Sequence, residues 1–254
     1  MEGEESGPSC PQLVCSTRLR FQKDVTRVSM NATSNLAVLC TKKLSIIGLT
    51  APFALAREIT LPNKSAPNLA QFSPHASQGS SLAACAGQSV FLFNLNDTRS
   101  APVTLAHQRN VRWFSWSLFD GGNVIATCAA DNSIHLWDVR DARKPSSSLK
   151  VFTSGLSSVK FNKVNQHILA SVHDIQVEIW DLRRTSSSPV TFITAHPTKI
   201  SNIDWNGSAE NELLTSSADG TVKFWDIKRS RLCQGTINTG SPVVKVKKSA
   251  REDA

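Results

Sequence analysis

Two histidines are each followed, at a similar distance, by an aspartate: Asp131 lies 24 residues after His107, and Asp219 lies 23 after His196. An imidazole oriented by a carboxylate is the general base of many hydrolases. Such a base needs a nucleophile, and the chain has no G-x-S-x-G elbow; G-x-G-x-x-G, the Walker loop and H-E-x-x-H are missing as well. The same set recurs in two parts of the chain, which favours a structural role over a catalytic one. His173-Asp174 has the look of a metal fragment, but it falls where a turn is expected. The six cysteines, at 10, 15, 40, 85, 128 and 233, include no C-x-x-C, and no histidine cluster has zinc spacing. No catalytic, metal or cofactor site is therefore expected. Cys40, Cys85 and Cys128 lie in apolar runs and read as small buried hydrophobes, reduced in an intracellular compartment.

The elements that would position these residues repeat. IHLWDVR (134–140), VEIWDLR (177–183) and VKFWDIK (222–228) place Trp137, Trp180 and Trp225 43 and 45 residues apart. Phe93 in VFLFNLN lies 44 residues before Trp137, and Ile47 in LSIIGLT lies 46 before Phe93. Five units thus end near residues 50, 96, 140, 183 and 228. Each divides into four short strands separated by turn residues. In the last unit these are KISNIDW, ELLTSS, TVKFWDI after the turn Ala218-Asp219-Gly220, and RLCQGTI.

This period, with Trp-Asp closing three units, resembles the blades of the WD-repeat β-propeller family. The resemblance implies an all-β propeller over 17–247, with about five four-stranded blades and the start of a sixth at PVVKVK (242–247). It also implies an incomplete, open ring, with TRLRFQ (17–22) as a candidate closing strand and open edges that a partner or further chain would cover. In the family a histidine, a hydroxyl residue, a turn aspartate and the tryptophan form a buried hydrogen-bonded chain. The residues that match are His107, Thr127, Asp131 and Trp137 in the third unit, and His196, Thr215, Asp219 and Trp225 in the fifth. The fourth offers Ser171, Asp174 and Trp180 but no matching histidine, with Ser154-Gly155 in that region. The second has Gly87 and Phe93 in place of the aspartate and tryptophan, and the first lacks the set; both are expected to rest on apolar packing.

Longer segments, among them QFSPHASQGSSLAACAGQSVFLFNLND (71–97), VRDARKP (139–145) and ITAHPTKISNIDWNGSAENELLTSSADGTVKFWD (193–226), are similar to the N-terminal propeller of the WD-repeat protein fifty-nine subunits of GATOR/SEA complexes. That resemblance implies a non-catalytic scaffold in amino-acid signalling to the TOR kinase complex. Its partners would be other propeller-containing subunits and not a small-molecule substrate. It would be cytoplasmic, reaching the lysosomal or vacuolar surface only peripherally through the complex, without membrane insertion. It further suggests a shortened form of a longer protein. The alternative is a substrate receptor of a cullin–RING ubiquitin ligase: Arg140 and Arg183 follow Trp-Asp-x in successive units, and a guanidinium there could pair with an acidic partner.

Composition bounds these readings. At 254 residues and 40% hydrophobic, the chain can bury a sizeable core, and no apolar run approaches the roughly 20 residues that span a bilayer. The N-terminus is acidic and polar, unlike a secretory signal. Residues 1–16 and 248–254 read as a disordered leader and tail. The formal charge is +8. Much of the excess lies near the C-terminus and no basic stripe alternates with aromatics, so solubility explains it better than nucleic-acid binding.

Overall fold

The computed structural model describes residues 25–50, 54–97, 99–184 and 188–247. The leader, the candidate closing strand at 17–22 and the tail at 248–254 lie outside the described residues. Twenty strands form five four-stranded antiparallel sheets, each a meander taken in chain order. Blade 1 holds β1 (Arg27–Met30), β2 (Leu36–Cys40), β3 (Leu44–Gly48) and β4 (Leu55–Ile59). Blade 2 holds β5 (Leu69–Phe72), β6 (Ser81–Ala86), β7 (Ser89–Asn94) and β8 (Val103–Ala106). Blade 3 holds β9 (Val111–Trp116), β10 (Val124–Ala129), β11 (Ser133–Asp138) and β12 (Ser147–Lys150). Blade 4 holds β13 (Leu156–Phe161), β14 (Ile168–His173), β15 (Gln176–Asp181) and β16 (Thr191–Thr194), and blade 5 holds β17 (Ile200–Trp205), β18 (Glu212–Ser217), β19 (Thr221–Asp226) and β20 (Cys233–Asn238). These are propeller-like blades.

Local chemistry sets each hairpin. In blades 2 to 5 the tight turn between the second and third strands carries a residue with positive φ: Gly87, Asn132, Asp174 or Gly220. Glycine, Asn and Asp tolerate that conformation best, and it matches the twist of the flanking strands. At the far end of the inner strand, Asn31, Ser73, Ser117, Asn162 and Asn206 fold their side chains back onto the next backbone N–H groups. This starts the turn into the second strand.

The second and third strands of most blades show little polar alternation because both faces are covered. Four apolar clusters each join two consecutive blades. Val38 and Ile46 meet Phe72 and Leu82, and Val90 and Leu105 meet Phe114 and Trp137. Ile134 and Leu136 meet Val159 and Trp180, and Val177 and Ile193 meet Trp205 and Trp225. Alternate residues of one strand thus face opposite neighbours, and the tryptophan of the third strand always looks back at the preceding blade. No such cluster joins blade 5 to blade 1 among the described residues. Polar links add register. The Trp116 indole donates to the Gln71 carbonyl (3.4 Å), the Phe161 amide donates to Ser115 Oγ (3.2 Å), and the Trp205 indole donates to the Lys160 carbonyl (3.2 Å).

PVVKVK does not form a strand. The Val243 amide donates to the Ser217 carbonyl (3.2 Å), much as the Ile200 amide donates to the Asp174 carbonyl one blade earlier (2.7 Å). The chain therefore turns to the place where an inner strand would begin. A ladder there needs further strands, which the described residues do not contain.

Blades 4 and 5 share a buried ion cluster. The Asp204 side chain is fully buried on β17 and receives Lys160 Nζ (2.7 Å) and Lys163 Nζ (2.8 Å) from the neighbouring blade. Both lysines hold the carboxyl below its ordinary range against the opposing effect of burial. Lys160 keeps 31% of its side-chain surface exposed, so water takes up part of the lost pairing and Asp204→Ala is expected to destabilise the chain by about 1–3 kcal/mol in urea unfolding.

Candidate functional site

The residues singled out by type and spacing fall inside the blades, between the second and third strands and the connection entering each inner strand. In blade 5 they form one hydrogen-bonded chain. Trp225 Nε1–H donates to Thr215 Oγ1 (2.9 Å), Thr215 Oγ1 lies 2.8 Å from His196 Nε2, and His196 Nδ1 lies 3.0 Å from Asp219 Oδ2. The arrangement assigns the proton to Nδ1, so every donor points the same way, from indole to hydroxyl to imidazole to carboxylate. Thr221 Oγ1 holds the other aspartate oxygen (2.6 Å). Burial pulls the His196 pKa below its ordinary value, overcoming the attraction of Asp219. The imidazole is neutral and enclosed, with no side-chain surface exposed.

Blade 3 has the same four residue types in place, but the chain is broken. Trp137 Nε1–H still donates to Thr127 Oγ1 (2.8 Å). His107, however, is buried with neither ring nitrogen hydrogen-bonded, and Asp131 binds the amide and hydroxyl of Ser133 instead. The difference lies at the residue two before the tryptophan. There His135 contacts Ser133 and Ser148 and lies over His107, with ring centroids 5.0 Å apart. Burial and His135 together push the His107 pKa down to about 4.

Blade 4 supplies its own imidazole. His173 is the last residue of β14, pointing inward, and not part of the turn. Trp180 Nε1–H donates to Ser171 Oγ (2.8 Å), which lies 2.9 Å from His173 Nε2. Glu178, again two before the tryptophan, reaches the same nitrogen at 3.3 Å and accepts a hydrogen bond from Thr153 Oγ1 (2.6 Å). Asp174 takes no part. Its carboxylate lies against Gly155, whose φ of +83° is a conformation that favours glycine. Glu178, Thr153 and His135 were not singled out from sequence, and His173 was placed in the turn. The signal for three of them is the variable position two before each tryptophan and the inward parity of a strand's last residue.

Blades 1 and 2 carry Ile47, buried, and Phe93, packed partly buried against the first apolar cluster. Arg140 and Arg183 lie on the surface, but each guanidinium closes on the aspartate of its own Trp-Asp pair. Arg140 binds Asp138 through Nε (2.8 Å), and Arg183 binds Asp181 through Nε (2.9 Å) and Nη2 (2.6 Å). These bonds hold both carboxyls at about 2. The guanidinia that the alternative reading would offer to an acidic partner are thus each paired with their own aspartate. Among the described residues no cluster of three or more His, Cys, Asp or Glu could hold a metal, and no helix is long and apolar enough to cross a membrane.

The family model for the WD domain, G-beta repeat, matches residues 101–138 and 187–226, the stretches ending at Trp137-Asp138 and Trp225-Asp226. The chain belongs to the WD-repeat family. Within it, the chain is 35% identical over 225 residues to GATOR2 complex protein WDR59 of Homo sapiens, covering 87% of this chain and 23% of the relative. It is 41% identical over 138 residues to GATOR2 complex protein Wdr59 of Drosophila melanogaster, covering 54% of this chain and 14% of the relative. It is 30% identical over 243 residues to Maintenance of telomere capping protein 5 of Saccharomyces cerevisiae, covering 93% of this chain and 21% of the relative. The chain therefore spans less than a quarter of the length of each of these WD-repeat relatives.

The two kinds of buried histidine separate experimentally. Replacing His196 breaks its hydrogen bonds to Thr215 and Asp219 and leaves Asp219 with Thr221 alone, so His196→Phe is expected to cost about 2–4 kcal/mol of unfolding free energy. His107→Phe removes a ring whose polar atoms are already unpaired, and is expected to change stability by less than about 1 kcal/mol. A histidine with a lowered native pKa binds protons more readily when unfolded, so stability falls as pH drops from about 6.5 toward 4. His107 contributes about 3 kcal/mol to that loss. Urea midpoints measured across this pH range should show a shallower decline for His107→Phe.

Proposed function

We propose that this chain is a non-catalytic interaction scaffold that assembles with other propeller-containing subunits of a GATOR/SEA-type complex. The observation that carries the proposal is its similarity to GATOR2 complex protein WDR59 across 87% of its length. The physics of the site supports it. The imidazoles of His107 and His196, which could resemble hydrolase bases, are buried inside the sheets, as the enclosed ring of His196 illustrates. What faces solvent is a set of loops held at fixed angles by packed blades, which suits simultaneous contact with several proteins. A role in amino-acid signalling to the TOR kinase complex, at the cytoplasmic surface of the lysosome or vacuole, follows from membership of such a complex.

The test is reconstitution. The tagged chain is co-expressed with the propeller subunits of the GATOR2-type complex of its own organism and resolved by size exclusion. Co-migration with those subunits is expected, unchanged by Arg140→Ala plus Arg183→Ala because both guanidinia are engaged internally. A chain that elutes alone, or that instead recovers a cullin adaptor through those arginines, overturns the proposal.

A further inference from the structure

The largest departure from apolar burial among the described residues is Phe152, which is 87% exposed. It is not on a loose loop. Val151 beside it is buried, and its amide donates to the Asn132 carbonyl (3.1 Å). On the other side Thr153 Oγ1 donates to the buried Glu178 (2.6 Å). An aromatic ring is thus held out to solvent between two anchored neighbours. The backbone that carries it is fixed in advance, which lowers part of the entropic cost of binding against it.

The surroundings indicate what it would bind. The Asp174 amide donates to the Gly155 carbonyl (3.4 Å), and the Ile200 amide donates to the Asp174 carbonyl (2.7 Å). These bonds carry the surface from Phe152 across to Ile175, itself 40% exposed, and to Lys199. In the other direction the Ala130 amide donates to the Asn110 carbonyl (2.8 Å), bringing in Arg109. Arg112 sits on a β-bulge of β9, where Val111 and Trp113 pair with Ala129 and Cys128 and leave Arg112 unpaired. The bulge turns its side chain outward, so that Nη1 reaches the Leu156 carbonyl (3.0 Å). Arg109, Arg112, Lys150 and Lys199 are all exposed here. None forms an ion pair among the described residues. Three acids lie in the turns of this face: Asp131 holds Ser133, Asp219 holds His196 and Thr221, and the exposed Asp174 lies against Gly155.

We infer that this face of blades 3 to 5 is a docking surface for an extended acidic peptide segment carrying one bulky apolar side chain. The apolar residue would pack on Phe152 and Ile175, and the flanking carboxylates would meet Arg109, Arg112, Lys150 and Lys199. The inference rests on the scaffold proposal, since it names the chemistry of one partner contact. Binding hot spots are enriched in aromatic and Arg side chains, and complementary charge steers the partner onto them.

The test is selection of a displayed random-peptide library on the immobilised full chain. The selected pool is expected to be rich in Asp and Glu around a single Leu, Ile, Phe, Trp or Met. Retention should fall at least about tenfold with Phe152→Ser, and with Arg109→Ser plus Lys199→Ser, while circular dichroism stays unchanged. Arg184→Ser plus Arg231→Ser, outside this patch, should leave it intact. A pool without acidic enrichment, retention undiminished by Phe152→Ser, or no enrichment at all would overturn the inference. So would displacement of the peptides by a single-stranded thymidine oligomer at equal concentration, which would assign the cations to nucleic acid. Reconstitution with GATOR2-type subunits would still stand or fall on its own result.

Discussion

A sheet with an apolar face buries it against a neighbouring sheet, and blades 2 to 4 are covered in this way on both faces. That constraint orders the whole molecule. Each blade covers its neighbour, and the four apolar clusters fall at the four joints between consecutive blades. Hydrophobic burial supplies the attraction, but it is indifferent to register. Register comes from polar groups trapped in the same joints, which must find partners or cost free energy. The indoles of Trp116 and Trp205 find backbone carbonyls of the preceding blade, and Lys160 and Lys163 find Asp204.

Within the blades the same requirement has three different answers. The tryptophan of the third strand brings an N–H into the interior, and a hydroxyl on the second strand accepts it at 2.8–2.9 Å in blades 3, 4 and 5. Beyond the hydroxyl the solutions diverge. Blade 5 ends on an aspartate in the turn, blade 4 on a glutamate two residues before the tryptophan, and blade 3 on a pair of tilted histidine rings whose inner member has no hydrogen-bond partner. The hydroxyl–indole bond is the shared element, and the groups behind it vary with the residue two positions before the tryptophan.

The period, the blade count and the blade 5 chain could be read from sequence because each rests on residues at fixed offsets: Trp137, Trp180 and Trp225 on one parity, with Asp219 six residues before Trp225. Blade 4 could not be read this way. Its histidine sits at the end of a strand and not in the preceding connection, and only strand parity separates an inward His173 from a turn residue. Blade 3 shows the converse. His107, Thr127, Asp131 and Trp137 match by type and spacing, yet His135 decides how they connect. Arg140 and Arg183 looked like free forks in a linear motif until the backbone turn placed each against its own aspartate. The Asn and Ser residues that close each inner strand recur at the same period as the tryptophans. The bonds that close the turns are local and the residue types ordinary there, so they carried little weight alone, although Asn162 Nδ2 also reaches the Glu210 carbonyl of the next blade (2.7 Å).

The most direct measure of this account is hydrogen exchange of the six indole N–H groups, followed by heteronuclear NMR on the full chain. Trp137, Trp180 and Trp225 donate to buried hydroxyls, and Trp116 and Trp205 donate across blade joints; Trp113 is only half-buried and its indole stacks beneath Arg27. Five protected indoles and a rapidly exchanging Trp113 are the expected result. Exchange of Trp137, Trp180 and Trp225 at the rate of Trp113 would contradict the arrangement of blades on which everything else rests.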